Sequence, residues 1–203
     1  MIDIKLLEQL CLCNGISGDE GNVRNLIINE IKDCADDIKT DNLGNLIVFK
    51  KGKKSAKSKL MVSAHMDEVG LMVTDITSDG YLKFDEVGGI DRRVLPGKRV
   101  CVGRNGLNGV IGVKPIHLTN GDEKTAVPKM NDMYIDIGAE SREDALKYVN
   151  YGDGINFEGD FKINGKTVVT KALDDRFGCD VLINLIKAEP EYDMYFTFVV
   201  QEE

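Results

Sequence analysis

Three short segments of this chain carry side chains suited to binding a divalent cation. They are Ala64-His65-Met66-Asp67-Glu68, Leu173-Asp174-Asp175-Arg176 and Gln201-Glu202-Glu203. One imidazole with several carboxylates is a donor set for Zn, Co or Mn rather than for a thiolate site. A carboxylate can bridge two metals roughly 3.5–4 Å apart, as in two-metal hydrolases. Of two adjacent glutamates, one can bind metal while the other handles a proton. Asp67 lies close enough in sequence to His65 to orient its ring. Each segment also has an ordinary structural reading. A histidine after a strand is often structural, paired aspartates at a helix start are often caps, and paired glutamates are often solvated. Residue type and spacing leave both readings open.

The elements around these segments argue for one location. The first segment follows the apolar run at residues 60–64, and the third follows the strand-like run at 194–200. The second opens residues 174–187, where Phe177, Val181, Leu182, Leu185 and Ile186 recur at helical spacing and Pro190 follows. Open α/β sheets bind ligands beyond the carboxyl ends of their strands, and helix N-termini tolerate negative charge. All three segments are therefore expected at one rim.

Residues 4–11 and 23–31 have helical spacing, with Ser17-Gly18-Asp19-Glu20 offering capping chemistry between them. Asn42-Leu43-Gly44-Asn45 reads as a turn, residues 46–49 as a strand, and residues 60–64 as a strand buried on both faces. From about residue 69 the texture changes to short β-type runs separated by glycine-rich turns, which suggests a small sandwich or barrel-like module. Ser141 heads a single helix within it. The expectation is an α/β fold with helices flanking a sheet of parallel order. Catalytic-type parts at 1–68 and 166–203 are interrupted by a β-rich insertion at 69–165.

Composition narrows the function classes. With 42% hydrophobic and 30% charged residues, the chain has a soluble globular profile. A formal net charge of -8 argues against nucleic acid as a partner, because phosphate neutralisation needs clustered Lys and Arg. The basic cluster at Lys51, Lys53, Lys54, Lys57 and Lys59 reads as a solvated loop. Five cysteines without a CxxC pair argue against a disulfide framework or a cysteine-rich zinc knuckle. No apolar run approaches the roughly 20 residues of a membrane helix, and the first residues lack a signal pattern. No membrane association and a cytoplasmic location are expected.

The sequence resembles metalloaminopeptidases of family M42, the glutamyl and deblocking aminopeptidases, some of which carry endoglucanase or cellulase labels. The resemblance rests on Ser63-Ala64-His65-Met66-Asp67-Glu68-Val69-Gly70, Gly88-Gly89-Ile90-Asp91, Gly109-Val110-Ile111-Gly112-Val113-Lys114-Pro115-Ile116-His117-Leu118, Lys171-Ala172-Leu173-Asp174-Asp175-Arg176 and Val200-Gln201-Glu202-Glu203, in family order. It implies an aminopeptidase-type mixed sheet interrupted by a PDZ-like insertion. It also implies two divalent metal ions, Zn or Co foremost and Mn next. His65 and Glu203 would be ligands to separate metals, Asp174 would bridge both, and Glu202 would be the general base. Asp67 would hold His65 in orientation. Substrates would be short peptides cut from a free N-terminus, and the insertion would pair subunits into homo-oligomers, from dimers to dodecamers.

The family pattern also calls for a further Asp and His beyond Glu203. The catalytic domain is therefore expected to be incomplete, as a truncated product or one needing a partner. His117, the other of the two histidines, falls in a stretch resembling a non-ligand segment of the family. The missing ligands motivate an alternative, a non-catalytic assembly or binding module. Glycoside hydrolysis by paired carboxylates gives His65 and Asp174 no role, and the chain has no Trp to stack on sugar rings.

Overall fold

A computed structural model of the protein describes residues 3–55, 57–115 and 126–203. In chain order the elements are α1 (Ile4–Leu12), α2 (Gly21–Ile31), β1 (Asp37–Thr40), β2 (Leu46–Lys50), β3 (Leu60–His65), β4 (Gly70–Ile76), β5 (Leu82–Val87), β6 (Arg99–Val102), β7 (Leu107–Val113), β8 (Met133–Asp136), α3 (Arg142–Ala145), β9 (Gly154–Phe157), β10 (Lys162–Asn164), β11 (Thr167–Val169), α4 (Leu173–Lys187) and β12 (Met194–Val199). They form two compact units, Met1–Glu68 with Gly159–Glu203, and Val69–Glu158. The chain re-enters the first unit at Gly159, earlier than the expected residue 166. The β10–β11 hairpin explains the difference: its strands pair with each other and take no part in the barrel of the second unit.

The first unit is built on a four-stranded sheet of order β1-β2-β12-β3. It is mixed, and the expected parallel order holds for only one pair. β12 runs parallel to β3, while the β1–β2 and β2–β12 pairs are antiparallel. Phe196 and Phe198 of β12 are fully buried with Leu46 and Val48 of β2. Leu10, Ile27 and Ile31 join them from α1 and α2, and Cys179, Ile183 and Ile186 from α4. Burying each large apolar side chain contributes about 1.5–3 kcal/mol before the entropy of ordering it. The helical spacing read along residues 174–187 identifies the helix but only part of its covering face: Leu182 and Ile186 are buried with Cys179 and Ile183, whereas Phe177 and Leu185 are exposed.

β3 corrects another expectation. It lies at the sheet edge, and Met61 is 61% exposed, so the strand is not buried on both faces. Burial begins only at Ala64 and His65. The pairing there matters most for the site. Phe198 is in register with Ala64 and Val199 with His65, and the Met66 amide continues the ladder to the Val199 carbonyl at 2.8 Å. His65 is therefore held beside the chain just before Glu202.

The second unit is a closed barrel of order β4-β5-β8-β7-β6-β9, antiparallel throughout. Of the two architectures that the alternating runs allowed, closure leaves no free strand edge. Leu71, Val73, Leu82, Val100, Ile111, Ile135 and Ile155 fill its interior. Ser141 caps α3 as expected, its Oγ accepting the Asp144 amide at 3.2 Å. Among the described residues, no helix is long and apolar enough to cross a membrane.

Candidate metal centre

His65 ends β3 with both ring nitrogens facing carboxylates. Nε2 lies 3.2 Å from Asp174 Oδ1 and 3.8 Å from Glu202 Oε2. Nδ1 lies 3.4 Å from Asp67 Oδ1, an ionic approach rather than an aligned hydrogen bond. His65, Glu202 and Glu203 each offer a donor atom within 4.8 Å of the others. The other four predicted residues are thus gathered around the His65 imidazole. Their exposures differ sharply: the Asp174 side chain is 91% exposed, whereas Asp67 is fully buried. His117, the other histidine, lies outside the described residues.

Asp174 and Asp175 divide two tasks that sequence left undistinguished. Their backbones depart from helical geometry at the start of α4, with φ -83°, ψ 111° and φ -120°, ψ 40°. Asp175 Oδ1 accepts the Gly178 amide at 2.9 Å and so caps the helix. Asp174 is left to face His65. The residues on either side are anchored. Lys171 Nζ donates to Glu68 Oε1 at 2.8 Å and to Asn14 Oδ1 at 3.2 Å. Arg176, fully buried, donates to the carbonyls of Leu10, Cys13 and Gly15 and lies 3.7 Å from Glu68 Oε1.

The glutamate pair is positioned through its backbone. Four successive amides end on side chains: Val200 N–H on Asn45 Oδ1 at 2.9 Å, Gln201 N–H on Glu20 Oε1 at 3.1 Å, Glu202 N–H on Asp67 Oδ1 at 3.2 Å and Glu203 N–H on Asp67 Oδ2 at 2.9 Å. Gln201 is left-handed, at φ 57°, a conformation costing a side-chain-bearing residue roughly 1–2 kcal/mol. A hydrogen bond to a charged acceptor offsets about that much. Sequence reading gave Glu20 to helix capping, yet its side chain makes no cap bond to α2 and reaches Gly18 and Gln201 instead. Glu20, Asn45, Glu68, Lys171 and Arg176 were not predicted as site-forming, since their partners lie far away in sequence. Glu68, Lys171 and Arg176 fall inside the segments that carry the resemblance, Asn45 in the Asn42–Asn45 turn and Glu20 in the capping run, but none of these signals gave the partner.

Burial opposes charge on the His65 ring, but the Asp174 hydrogen bond and the charges of Asp67, Glu202 and Asp175 outweigh it and raise its pKa. Desolvation raises the Glu203 carboxyl, with Asp67, Glu202 and Asp174 adding to the shift against His65. Neighbouring carboxylates contribute to both shifts, behind burial in the case of Glu203. Among the described residues, no Lys or Arg forms an ion pair with Asp67, Asp174, Glu202 or Glu203. Imidazole nitrogen and carboxylate oxygens in an anion-rich cluster fit a divalent cation, which would supply the missing positive charge.

The family model for M42 glutamyl aminopeptidase matches residues 44–203, a span that includes His65, Asp67, Asp174, Glu202 and Glu203. This chain belongs to the M42 family. A candidate aminopeptidase of Acetivibrio thermocellus is 48% identical to the M42 chain over 200 residues, covering 98% of this chain and 58% of that protein. The solved Pyrococcus horikoshii TET1 peptidase, described as assembling into a tetrahedron or a large octahedral shell, is 46% identical at TM-score 0.87. It covers 98% of this chain and 61% of its own. A Thermotoga maritima structure called an endoglucanase is 45% identical at TM-score 0.85, with 97% of this chain and 59% of that one covered. The M42 chain thus spans about three-fifths of the length of these relatives.

Proposed function

We propose that this M42 chain supplies part of a two-metal aminopeptidase centre that releases N-terminal residues from short peptides. The observation carrying the reading is the cluster of His65, Glu202 and Glu203 donors within 4.8 Å, with Asp174 at 3.2 Å from the same imidazole nitrogen. His65 Nε2 and a Glu203 carboxylate oxygen would each hold an ion, and the exposed Asp174 carboxylate would be shared between them. When bound, the divalent ions, zinc or cobalt foremost and manganese next, polarise the scissile carbonyl and acidify water. Glu202 takes the proton from the attacking water and passes it to the leaving amine. The buried Asp67 carboxylate, 3.4 Å from Nδ1, would draw the ring proton to that side once Nε2 ligates.

The barrel of Val69–Glu158 is the family's insertion, PDZ-like in the family resemblance, and is the surface for homo-oligomer assembly. The shells described for the Pyrococcus horikoshii relative support this reading. A cytoplasmic setting fits these assignments. One alternative is a binding or assembly module without catalysis, with the closed barrel of Val69–Glu158 as its working part. The endoglucanase label of the Thermotoga maritima relative finds no support in a cluster centred on an imidazole.

Cobalt titration of the chain and of His65→Ala tests the metal assignment. Hydrolysis of amino-acid p-nitroanilides by a form extended to the relatives' length tests the chemistry. Stoichiometric cobalt binding that needs His65, together with hydrolysis reduced about 10²–10⁴-fold in Glu202→Gln, supports the enzyme. Cobalt binding indifferent to His65, or hydrolysis indifferent to Glu202, overturns it.

A further inference from the structure

We infer that Glu20 is a positioning residue for the metal centre, acting through the backbone of Gln201. The inference rests on the metal-site reading above. Glu20 is buried and lies at the start of α2, yet no amide of that helix bonds to its side chain. Its Oε1 instead accepts the Gly18 amide at 2.7 Å and the Gln201 amide at 3.1 Å. A carboxylate buried without a cation partner is retained at a cost unless its hydrogen bonds are needed. Among the described residues, Glu20 forms no ion pair. Its bonds go to the 18 turn and to Gln201, a residue that otherwise resists the left-handed backbone it adopts.

The consequence for the site is geometric. Gln201 separates β12 from the glutamate pair, and its φ of 57° turns the chain out of the strand. Asn45 fixes the amide before the turn and Asp67 fixes the two after it. Among the described residues, Glu20 alone holds the amide of the turning residue. Without that acceptor Gln201 relaxes toward extended backbone, which redirects the residues that follow. The donors of Glu202 and Glu203 then leave the 4.8 Å cluster around His65. Glu20 touches neither the donors nor any substrate position, so its effect passes entirely through main-chain direction.

The test is carried out on the full 203-residue chain, with Co(II) as the probe. Affinity is read from the visible cobalt absorption, and the Gln201 amide is followed by hydrogen exchange. Glu20→Ala is expected to weaken Co(II) binding at least about 10-fold while the circular dichroism stays native, the equivalent of one lost charge-assisted hydrogen bond. Glu20→Gln keeps an acceptor oxygen and is expected to stay within about threefold of the parent. Gln201→Gly placed on Glu20→Ala is expected to recover part of the loss, since glycine enters the left-handed region freely.

A folded Glu20→Ala that binds Co(II) like the parent overturns the inference, as does an absence of rescue by Glu20→Gln. If the alanine variant does not fold, Glu20→Met keeps the buried bulk and removes the acceptor, and the same comparison applies. The parent chain alone also decides: a Gln201 amide exchanging at the rate of an unprotected peptide overturns the clamp. Failure of the parent to bind Co(II) instead overturns the metal reading, and leaves the amide measurement to judge Glu20.

Discussion

Asp67 holds Glu203 by its main chain and not by its carboxylate: the Glu203 amide donates to Asp67 Oδ2 at 2.9 Å, leaving the Glu203 side chain free. The other oxygen of Asp67 takes the Glu202 amide and also lies within 3.4 Å of His65 Nδ1. One fully buried side chain thereby ties the histidine to the glutamate pair.

Replacing Asp67 is expected to cost stability as well as site geometry. Asp67→Ala leaves two amides without their acceptor, and the loss is about 2–4 kcal/mol. Asp67→Asn keeps one acceptor oxygen and should lose roughly half as much. Urea denaturation of the metal-free chain measures both. An alanine variant as stable as the parent shows that the two amides find other partners.

Arg176 is another fully buried charged residue around the centre. Its guanidinium satisfies three main-chain carbonyls before it meets Glu68. Arg176→Met is expected to destabilise by about 3–5 kcal/mol, since it removes one member of a buried ion pair and strips those carbonyls of a donor. Arg176→Lys should recover little, because an ammonium lacks the planar fork. Thermal unfolding of the two variants checks the order.

The turn before β2 carries a pH dependence. The Asn45 side chain donates to Asp41, and the amides of Asn45, Gly44 and Leu43 add to it, so the Asp41 carboxyl sits below its ordinary 3.8. A lowered folded-state pKa contributes stability that is present above the unfolded value and lost as pH falls through the folded one. Asp41→Asn should therefore weaken the chain at neutral pH. Its deficit should shrink on acidification below pH 3.8. Denaturant midpoints of both proteins across that range supply the measurement. A deficit constant with pH removes the carboxylate from the account.

Cysteine chemistry follows burial. Desolvation pushes the Cys11 thiol up to about 11 against the opposing charge of Arg176, and raises Cys179 further still. Both thiols are buried and stay protonated near pH 8. Iodoacetamide should modify them only on unfolding, after Cys34 and Cys101, which are partly accessible. Mass mapping of the native chain checks the order, and early labelling at Cys11 would contradict it.

The strands that carry large apolar runs were readable because burial leaves its mark on composition. Residues 46–49, 60–64 and 194–200 correspond to β2, β3 and β12. The spacing of Val181, Leu182 and Ile186 likewise marks α4. β1 went unread because Asp37, Lys39 and Thr40 are exposed edge residues with no apolar alternation. The exposure of β3 was hidden for the opposite reason: Leu60 and Met61 are apolar in type but stand at the sheet edge. For the centre, residue types pointed to His65, Asp67, Asp174, Glu202 and Glu203. The supports from Glu20, Asn45 and Arg176 were illegible, because each acts on main-chain groups and leaves no trace in the partner's side-chain identity.

The place of β12 between β2 and β3 also sets an order of events during synthesis. The barrel of Val69–Glu158 is one continuous stretch, so its strands can pair as soon as they emerge. The four-stranded sheet must wait, since among the described residues β2 and β3 have no ladder to each other and are joined through β12, which is made after the whole barrel. That long wait is the slow step that non-local pairing imposes. His65 is thus translated early but acquires its carboxylate neighbours only after residues 194–203 arrive. A nascent chain halted before β12 would hold a finished barrel and no centre.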